Sequence, residues 1–200
     1  MELLLSEYNR VFILYSNTAA TAPTFTEETL TTEGGRMDVV ARSAIYALWD
    51  LGVPRRDAAF IAVLNGPPDP PATLFLRPAN VELSEKALGS EILSALKGFS
   101  SIAQTYRLDA AKLLVKVKEM GFKLALLIEN GEDISRIPDL CGRKTAFVVG
   151  DHLGFPDHFL RSSEKLVDVK ISLGKTPYLA SHCIAYVNDV LDGCTKSSNP

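Results

Sequence analysis

Short apolar runs alternate along this chain with segments in which apolar residues recur at helical spacing. The runs are typical of buried strands covered on both faces, and they lie at 11–15, 58–64, 73–77, 123–128, 145–149 and just before Gly174. Helical spacing predicts helices that begin near Arg36 and at about 84–99, 108–120, 156–164 and 180–191. Strands that alternate with helices predict an α/β fold.

The connections between these elements differ in character. Residues 17–35 are rich in threonine and have little periodicity, which predicts an irregular, exposed segment. Residues 65–71 contain four prolines and form a rigid turn. This turn is short enough for the run at 73–77 to pair antiparallel with the run at 58–64.

Three of the apolar runs end abruptly in glycine or polar residues. Leu127 precedes Glu129-Asn-Gly131, Val149 precedes Gly150, and Ser172 precedes Gly174. If these strands are parallel, their carboxyl ends meet at one edge of the sheet, where α/β proteins hold nucleotide-like ligands. The sequence therefore predicts a pocket built mostly from backbone at this edge.

Composition narrows the class of protein. A chain of 200 residues with 46% hydrophobic residues predicts one globular domain, and a net charge of −3 argues against a general affinity for nucleic acid. Three scattered cysteines do not indicate a disulfide framework, and no Cys or His pair has the spacing of a zinc site, so no metal is expected. The acidic start is unlike a signal peptide and no window is apolar enough for a membrane span, which predicts a cytoplasmic protein.

Several short motifs occur in a characteristic order over nearly the whole chain. They are Gly35-Arg-Met-Asp38 with Arg42, Arg56-Asp57, Leu64-Asn-Gly-Pro-Pro-Asp-Pro-Pro71, Glu129-Asn-Gly131, Val148-Val-Gly-Asp-His-Leu-Gly154, Ile171-Ser-Leu173 and His182-Cys183. In this order they resemble the archaeal tRNA pseudouridine-54 N1-methyltransferases of the SPOUT superfamily. The similarity runs from about residue 11 to residue 193.

The resemblance implies a mostly parallel sheet flanked by helices, with a C-terminal trefoil knot, in a single domain over 1–193; residues 194–200 match nothing and are expected to be a disordered tail. It implies S-adenosylmethionine as methyl donor, a homodimer, and tRNA as substrate, methylated at N1 of pseudouridine 54 in the T-loop. The implied cofactor-binding residues are Leu127, Gly150, Leu173, Gly174, Lys175, Thr176, Pro177, Tyr178 and Cys183. Cys183 is assigned to the pocket wall, because a nucleophile would need a positioned base and its neighbour His182 faces away on a helix.

Pseudouridine has a proton on N1 that must leave during methyl transfer, so the site needs a proton acceptor or a group that stabilises the developing anion. Asp38 and Arg36 are the predicted catalytic residues. Asp38 at the first turn of a helix would be a weak base, so it either takes the proton or orients the base; alternatively, Asp38 and Arg42 form a simple i, i+4 ion pair. Arg42, Arg55 and Arg56 are the predicted contacts to RNA phosphates.

Other classes of function are compatible with parts of the pattern. A non-catalytic RNA-binding module would keep the glycine loops but has no need of Arg36 and Asp38, and a ribosomal RNA pseudouridine is an alternative substrate. A Rossmann-type oxidoreductase requires a G-x-G-x-x-G turn after an early strand, and this sequence has none.

Overall fold

The computed structural model describes residues 5–137 and 140–196. Its main feature is a seven-stranded sheet in the order β6-β5-β4-β1-β8-β7-β9. The strands are β1 (Arg10–Ser16), β4 (Ala58–Leu64), β5 (Ala72–Leu76), β6 (Ala103–Tyr106), β7 (Lys123–Asp133), β8 (Thr145–Gly150) and β9 (Val169–Ser172); β2 (Trp49–Asp50) and β3 (Val53–Pro54) form a separate hairpin. Strands β4, β1, β8, β7 and β9 are parallel, and β5 is antiparallel to its neighbours β4 and β6. The predicted α/β class and antiparallel pair are thus confirmed.

Helices cover both faces of the sheet. They are α1 (Met37–Leu48), α2 (Glu85–Leu96), α3 (Ala110–Glu119), α4 (Asp157–Ser163) and α5 (Ala180–Lys196). Alternate residues of β1 enter different cores, because side chains alternate along a strand: Phe12 and Leu14 join the cluster that contains α1, α2 and α5, whereas Val11 and Ile13 join the cluster that contains α3 and α4. The parallel strands are buried on both faces for this reason.

Four details differ from the sequence-based predictions. Strand β6 was not predicted, and β7 continues past Leu127 to Asp133 through a bulge. The irregular segment 17–35 is not exposed throughout, since Ala19, Phe25 and Leu30 are buried in the main core. Helix α5 continues to Lys196, so the predicted tail from residue 194 begins as helix; residues 197–200 lie outside the described part of the chain.

A disulfide joins the connection before β8 to the last helix. It links Cys141 to Cys194, whose Cα atoms are 5.8 Å apart across 53 residues of sequence. The cysteine spacing did not predict this bridge, because only the fold brings the β7–β8 connection beside the end of α5. Cys183 is the free cysteine.

Among the described residues, no helix has both the length and the apolar character that a membrane span requires. The same part of the chain contains no cluster of three or more side chains suited to binding a metal ion.

Candidate functional site

A pocket lies at the carboxyl ends of β7, β8 and β9. Its lining includes the predicted residues Leu127, Gly150, Leu173, Gly174, Thr176, Pro177, Tyr178 and Cys183, and also Ile128, Glu129, Val149, Asp151, Gly154, Phe155, Leu160 and Ile171. Lys175 is the one predicted cofactor residue that is not part of this lining. The parallel register places the three strand ends side by side, as expected from the sequence.

The bulge in β7 shapes one wall of the pocket. Ile171 of β9 faces Leu127 and, after the bulge, Glu132, so residues 128–131 are extruded from the ladder. The bulge directs Ile128 and Glu129 to the pocket lining. Sequence reasoning treated this segment as a simple turn and assigned Glu129 no role.

Cys183, on the first turns of α5, forms another part of the wall. Burial, with a smaller contribution from the charge of Glu129, raises the pKa of its thiol to about 11. The thiol is therefore neutral near pH 7, and a neutral thiol is a poor nucleophile. This chemistry agrees with a role in the wall of the pocket.

The predicted catalytic pair forms a tight turn at the start of α1. Arg36 has a left-handed backbone (φ 72°), which is unfavourable for a residue with a side chain. Its Nε and Nη2 atoms donate to the two oxygens of Asp38, each at 3.0 Å, and Asp38 is 3% exposed. Arg42 lies 3.9 Å from Asp38 and is bound more closely by Glu85, at 2.7 Å.

Burial by itself would raise the pKa of Asp38, but the hydrogen bond and charge of Arg36, with the charge of Arg42, outweigh it and lower the pKa below its ordinary value. A carboxylate held in this way is a weak base. Arg36 and Asp38 are not among the residues that line the pocket. Hydrogen bonds through Asn17 and Thr18 nevertheless connect their turn to the pocket, and sequence reasoning gave neither residue a role.

The predicted RNA-binding arginines lie in two different places. Arg42 is on α1, close to Asp38. Arg55 and Arg56 precede β4. They lie at the amino ends of the parallel strands, whereas the pocket lies at the carboxyl ends. The side chain of Arg55 is only 12% exposed and pairs with Asp192 and Asp50. This burial and pairing argue against the predicted contact of Arg55 with a phosphate.

Comparison with known proteins gives the class. The family model described as "Putative SAM-dependent RNA methyltransferase" matches residues 9–195. The match covers nearly the whole chain, including every strand of the main sheet and the pocket. The chain belongs to this family of RNA methyltransferases.

Named relatives within this class are similar over their full length. The chain is 33% identical over 202 residues to a tRNA (pseudouridine(54)-N(1))-methyltransferase of Pyrococcus abyssi, covering 92% of this chain and 97% of the relative. It is 32% identical to the protein of the same name from Thermococcus kodakarensis, covering 92% and 99%. The fold is similar to that of Nep1 of Archaeoglobus fulgidus bound to S-adenosylhomocysteine, with a TM-score of 0.68 at 13% identity and coverage of 94% and 99%.

The pocket has the chemistry that S-adenosylmethionine requires. Leu127, Val149 and Ile171 give the lining an apolar surface of the kind that suits an adenine ring. Gly174, Thr176 and Tyr178 of the loop after β9 belong to the lining and are polar or expose backbone easily, and the carboxylate of Glu129 is suited to the positive charges of the cofactor. The residues present therefore fit the cofactor of the family.

Proposed function

We propose that the protein transfers the methyl group of S-adenosylmethionine to N1 of pseudouridine 54 in the T-loop of tRNA. The observation that carries this proposal is a pocket at three parallel strand ends that is linked, by the hydrogen bonds of Asn17 and Thr18, to the turn that holds Arg36 and Asp38. The full-length similarity to enzymes named for this reaction supports the choice of substrate.

The chemistry of the acceptor explains why pseudouridine and not uridine is the substrate. N1 of uridine is bonded to ribose, whereas N1 of pseudouridine bears a proton, which is released to water as the nitrogen takes the methyl group. When bound, S-adenosylmethionine supplies a methyl group on a positively charged sulfur. Arg36 stabilises the negative charge that develops on the carbonyl oxygens of the base, and Asp38 holds the guanidinium of Arg36 in position.

A direct assay tests the substrate. The protein is incubated with labelled S-adenosylmethionine and two forms of one tRNA, with pseudouridine or uridine at position 54, and the nucleosides are analysed by mass spectrometry. We expect N1-methylpseudouridine from the first tRNA and no methylated nucleoside at position 54 of the second. Equal methylation of both, or of neither, would contradict the proposal.

A glycine variant tests the cofactor site. A Cβ atom added at Gly150 would lie 3.0 Å from backbone atoms of Gly154, so a larger side chain must displace the turn between them. We expect Gly150→Val to abolish binding of S-adenosylmethionine in calorimetry. Gly193→Val is the matched control, because a Cβ there meets nothing within 4 Å. Unchanged affinity in a folded Gly150→Val protein would exclude this pocket.

We further propose that the enzyme is a homodimer with α1 and α5 at its interface. Tyr46 of α1, Tyr186 of α5 and Leu179 just before α5 are 43%, 48% and 50% exposed, and Asn188 of α5 donates to the carbonyl of Tyr46 at 2.8 Å. Exposed aromatic residues on two helices that pack against each other are typical of interfaces. In analytical ultracentrifugation, we expect Tyr186→Glu to convert the dimer to a monomer. Phe99→Glu, which changes another exposed aromatic residue, should leave the dimer intact. A parent protein that is itself monomeric would refute the proposal.

The proposed architecture is a single SPOUT domain in which α5 is threaded through the β7–β8 connection to form a trefoil knot. Ile134, Ile137 and Leu140 of this connection share a core cluster with Ile184 and Val187 of α5, and such packing supports the threading. A crystal structure in which α5 passes outside the connection would contradict the knot.

A tRNA substrate implies that the enzyme works in the cytoplasm.

A further inference from the structure

The carboxylate of Asp151 is buried at the end of β8, and its charge is satisfied by hydrogen bonds. Its side chain is 1% exposed. Oδ2 accepts from the backbone N–H of Asn17 at 2.7 Å and from the hydroxyl of Ser16 at 3.4 Å; Oδ1 accepts from Asn17 Nδ2 at 2.7 Å and from the backbone N–H of Leu153 at 2.9 Å. Asp151 therefore joins the end of β1 to its own turn, residues 150–154, which lines the cofactor pocket.

The side chain of Asn17 makes a second bond to the same turn. Its Nδ2 also donates to the carbonyl of Gly154, at 2.9 Å. Both partners of this amide group are acceptors, so only its NH₂ end fits between them, and the orientation of the side chain is fixed. Asn17 thus holds the first and last parts of the cofactor turn together.

The next residue makes the connection to the catalytic turn. The hydroxyl of Thr18 donates to the carbonyl of Gly35 at 2.7 Å. Gly35 has a φ of 58°, and a Cβ there would lie 1.9 Å from the carbonyl oxygen of Thr18, so the two backbone segments are in close contact. Arg36 follows directly, in the left-handed conformation that this contact helps to fix.

We propose that Asp151, Asn17 and Thr18 are positioning residues that fix the cofactor turn (150–154) relative to the turn that presents Arg36. The inference rests on the proposed function, because it concerns how the methyl donor and the acceptor base are aligned. Direct displacement requires alignment of nitrogen, methyl carbon and sulfur, and a misplacement of about 1 Å can cost about 10²-fold in rate. None of the three residues needs to touch the reacting atoms for this role.

Thr18 provides the sharpest test, because its side chain bonds to the catalytic turn and its Thr→Val change keeps shape while removing one hydroxyl. We expect Thr18→Val to lower the single-turnover rate at saturating cofactor and tRNA by about tenfold or more, with cofactor affinity changed less than about twofold. Thr18→Ser, which keeps the hydroxyl, should restore most of the rate. Thr73→Val is the matched control: it removes an equivalent, partly buried 2.7 Å bond, from Thr73 to the carbonyl of Leu108, elsewhere in the protein.

Asp151→Asn tests the other end of this series of hydrogen bonds, at the cofactor turn. An amide in place of the carboxylate sets an NH₂ group against N–H donors that now bond to oxygen, so we expect weaker cofactor binding together with a lower rate. The inference is overturned if Thr18→Val and Asp151→Asn turn over at the parent rate, or if Thr73→Val loses as much rate as Thr18→Val at equal loss of thermal stability.

Hydrogen exchange separates this inference from the proposed function. A parent protein that methylates neither tRNA refutes the function alone. In that case the positioning role is still decided by amide exchange of residues 34–38, which should be faster in Thr18→Val than in the parent and in Thr73→Val. Identical exchange in all three proteins would overturn the inference.

Discussion

Arg36 contacts both carboxylate oxygens of Asp38, and this geometry bears on whether the aspartate can take the N1 proton. A base that accepts a proton must offer a free lone pair and a pKa near the working pH. Asp38 is buried, bound by two arginines and has a lowered pKa. Its arrangement is suited to orienting Arg36 and not to removing a proton.

A double-mutant cycle tests this interpretation. If the two residues act as one unit, Asp38→Asn and Arg36→Ala should lower the methylation rate by similar factors, about 10²-fold, and the double variant should be no slower than either. Cofactor affinity should stay near that of the parent protein. Independent, multiplying effects in single-turnover kinetics would contradict the interpretation and return the role of base to Asp38.

The raised pKa of Cys183 has a measurable effect on its reactivity. At a pKa of about 11, only about one thiol in 10³ is ionised at pH 8, and alkylation requires the thiolate. We expect iodoacetamide to modify Cys183 about 10²-fold more slowly at pH 8 than an unperturbed thiol, with the rate still rising above pH 10. Peptide mass spectrometry follows the reaction. Rapid labelling at pH 8 would show that Cys183 is not shielded in this way.

For single residues, the sequence predicted most of the lining of the pocket but not the ion pairs of the arginines. Gly150 could be located because it ends a parallel strand, and the carboxyl ends of such strands meet at one edge of the sheet. Cys183 could be located because it lies at the start of the helix that follows the last of these strands. The ion pair of Arg55 could not be predicted, since its partner Asp192 lies 137 residues away and only the fold brings them together. Asn17 was missed because one polar residue after a strand has no periodicity that would mark it.

An ion-pair network anchors the C-terminal part of helix α5, which is the end away from the pocket. Asp192 accepts from Arg10 at 2.9 Å and from Arg55 at 2.7 Å, and Asn188 accepts from Arg10 at 2.8 Å. The first turn of the same helix contributes Cys183 to the lining of the pocket. We therefore expect the network to stabilise, through one rigid element, a wall of the proposed cofactor site.

We expect Asp192→Asn to lower the free energy of unfolding by about 1–3 kcal/mol, because Arg10 and Arg55 lose a shared charged partner. Urea unfolding measures the change. Asp189→Asn is the matched control, an exposed aspartate one turn earlier on α5. A loss in the control equal to that of Asp192→Asn would show that the network has no specific effect.

The same aspartate gives a pH dependence of stability. Burial acts to raise the pKa of Asp192, but hydrogen bonds and charges from Arg55 and Arg10 outweigh it, so the pKa is lowered. Its stabilisation is then present above the unfolded pKa of about 3.9 and lost as pH falls through the lower folded value. The stability difference between the parent protein and Asp192→Asn should therefore shrink below about pH 4 in acid unfolding experiments; a constant difference would contradict this.

Strands with a continuous apolar run could be predicted from the sequence, and strands without such a run could not. The runs at β4 and β8 are continuous because both faces are buried, and this signal is local. Strand β6 has the sequence Ala103-Gln-Thr-Tyr106, pairs only with β5 at the edge of the sheet, and has no such run. The bulge of β7 depends on pairing with β9 about forty residues later, which local periodicity does not encode.

For the whole molecule, the disulfide is a covalent link with a large expected effect on stability. A bridge across 53 residues restricts the unfolded chain, and the chain-entropy treatment gives up to about 4 kcal/mol for a loop of this size. Reduction, or Cys141→Ser, should lower the free energy of unfolding by up to this amount. Denaturant unfolding with and without reductant measures it, and Cys183→Ser should not change the effect of reductant. Stability that is insensitive to reductant would contradict the bridge.

The disulfide also converts residues 141–194 into a covalent ring that contains β8, β9 and most of α5. The exposed loop after β9, with Lys175, lies inside this ring and borders the pocket. Trypsin cutting once after Lys175 would therefore open the polypeptide without separating it into two molecules. On a denaturing gel the nicked enzyme would keep its full mass until a reductant was added, and only then divide into two fragments.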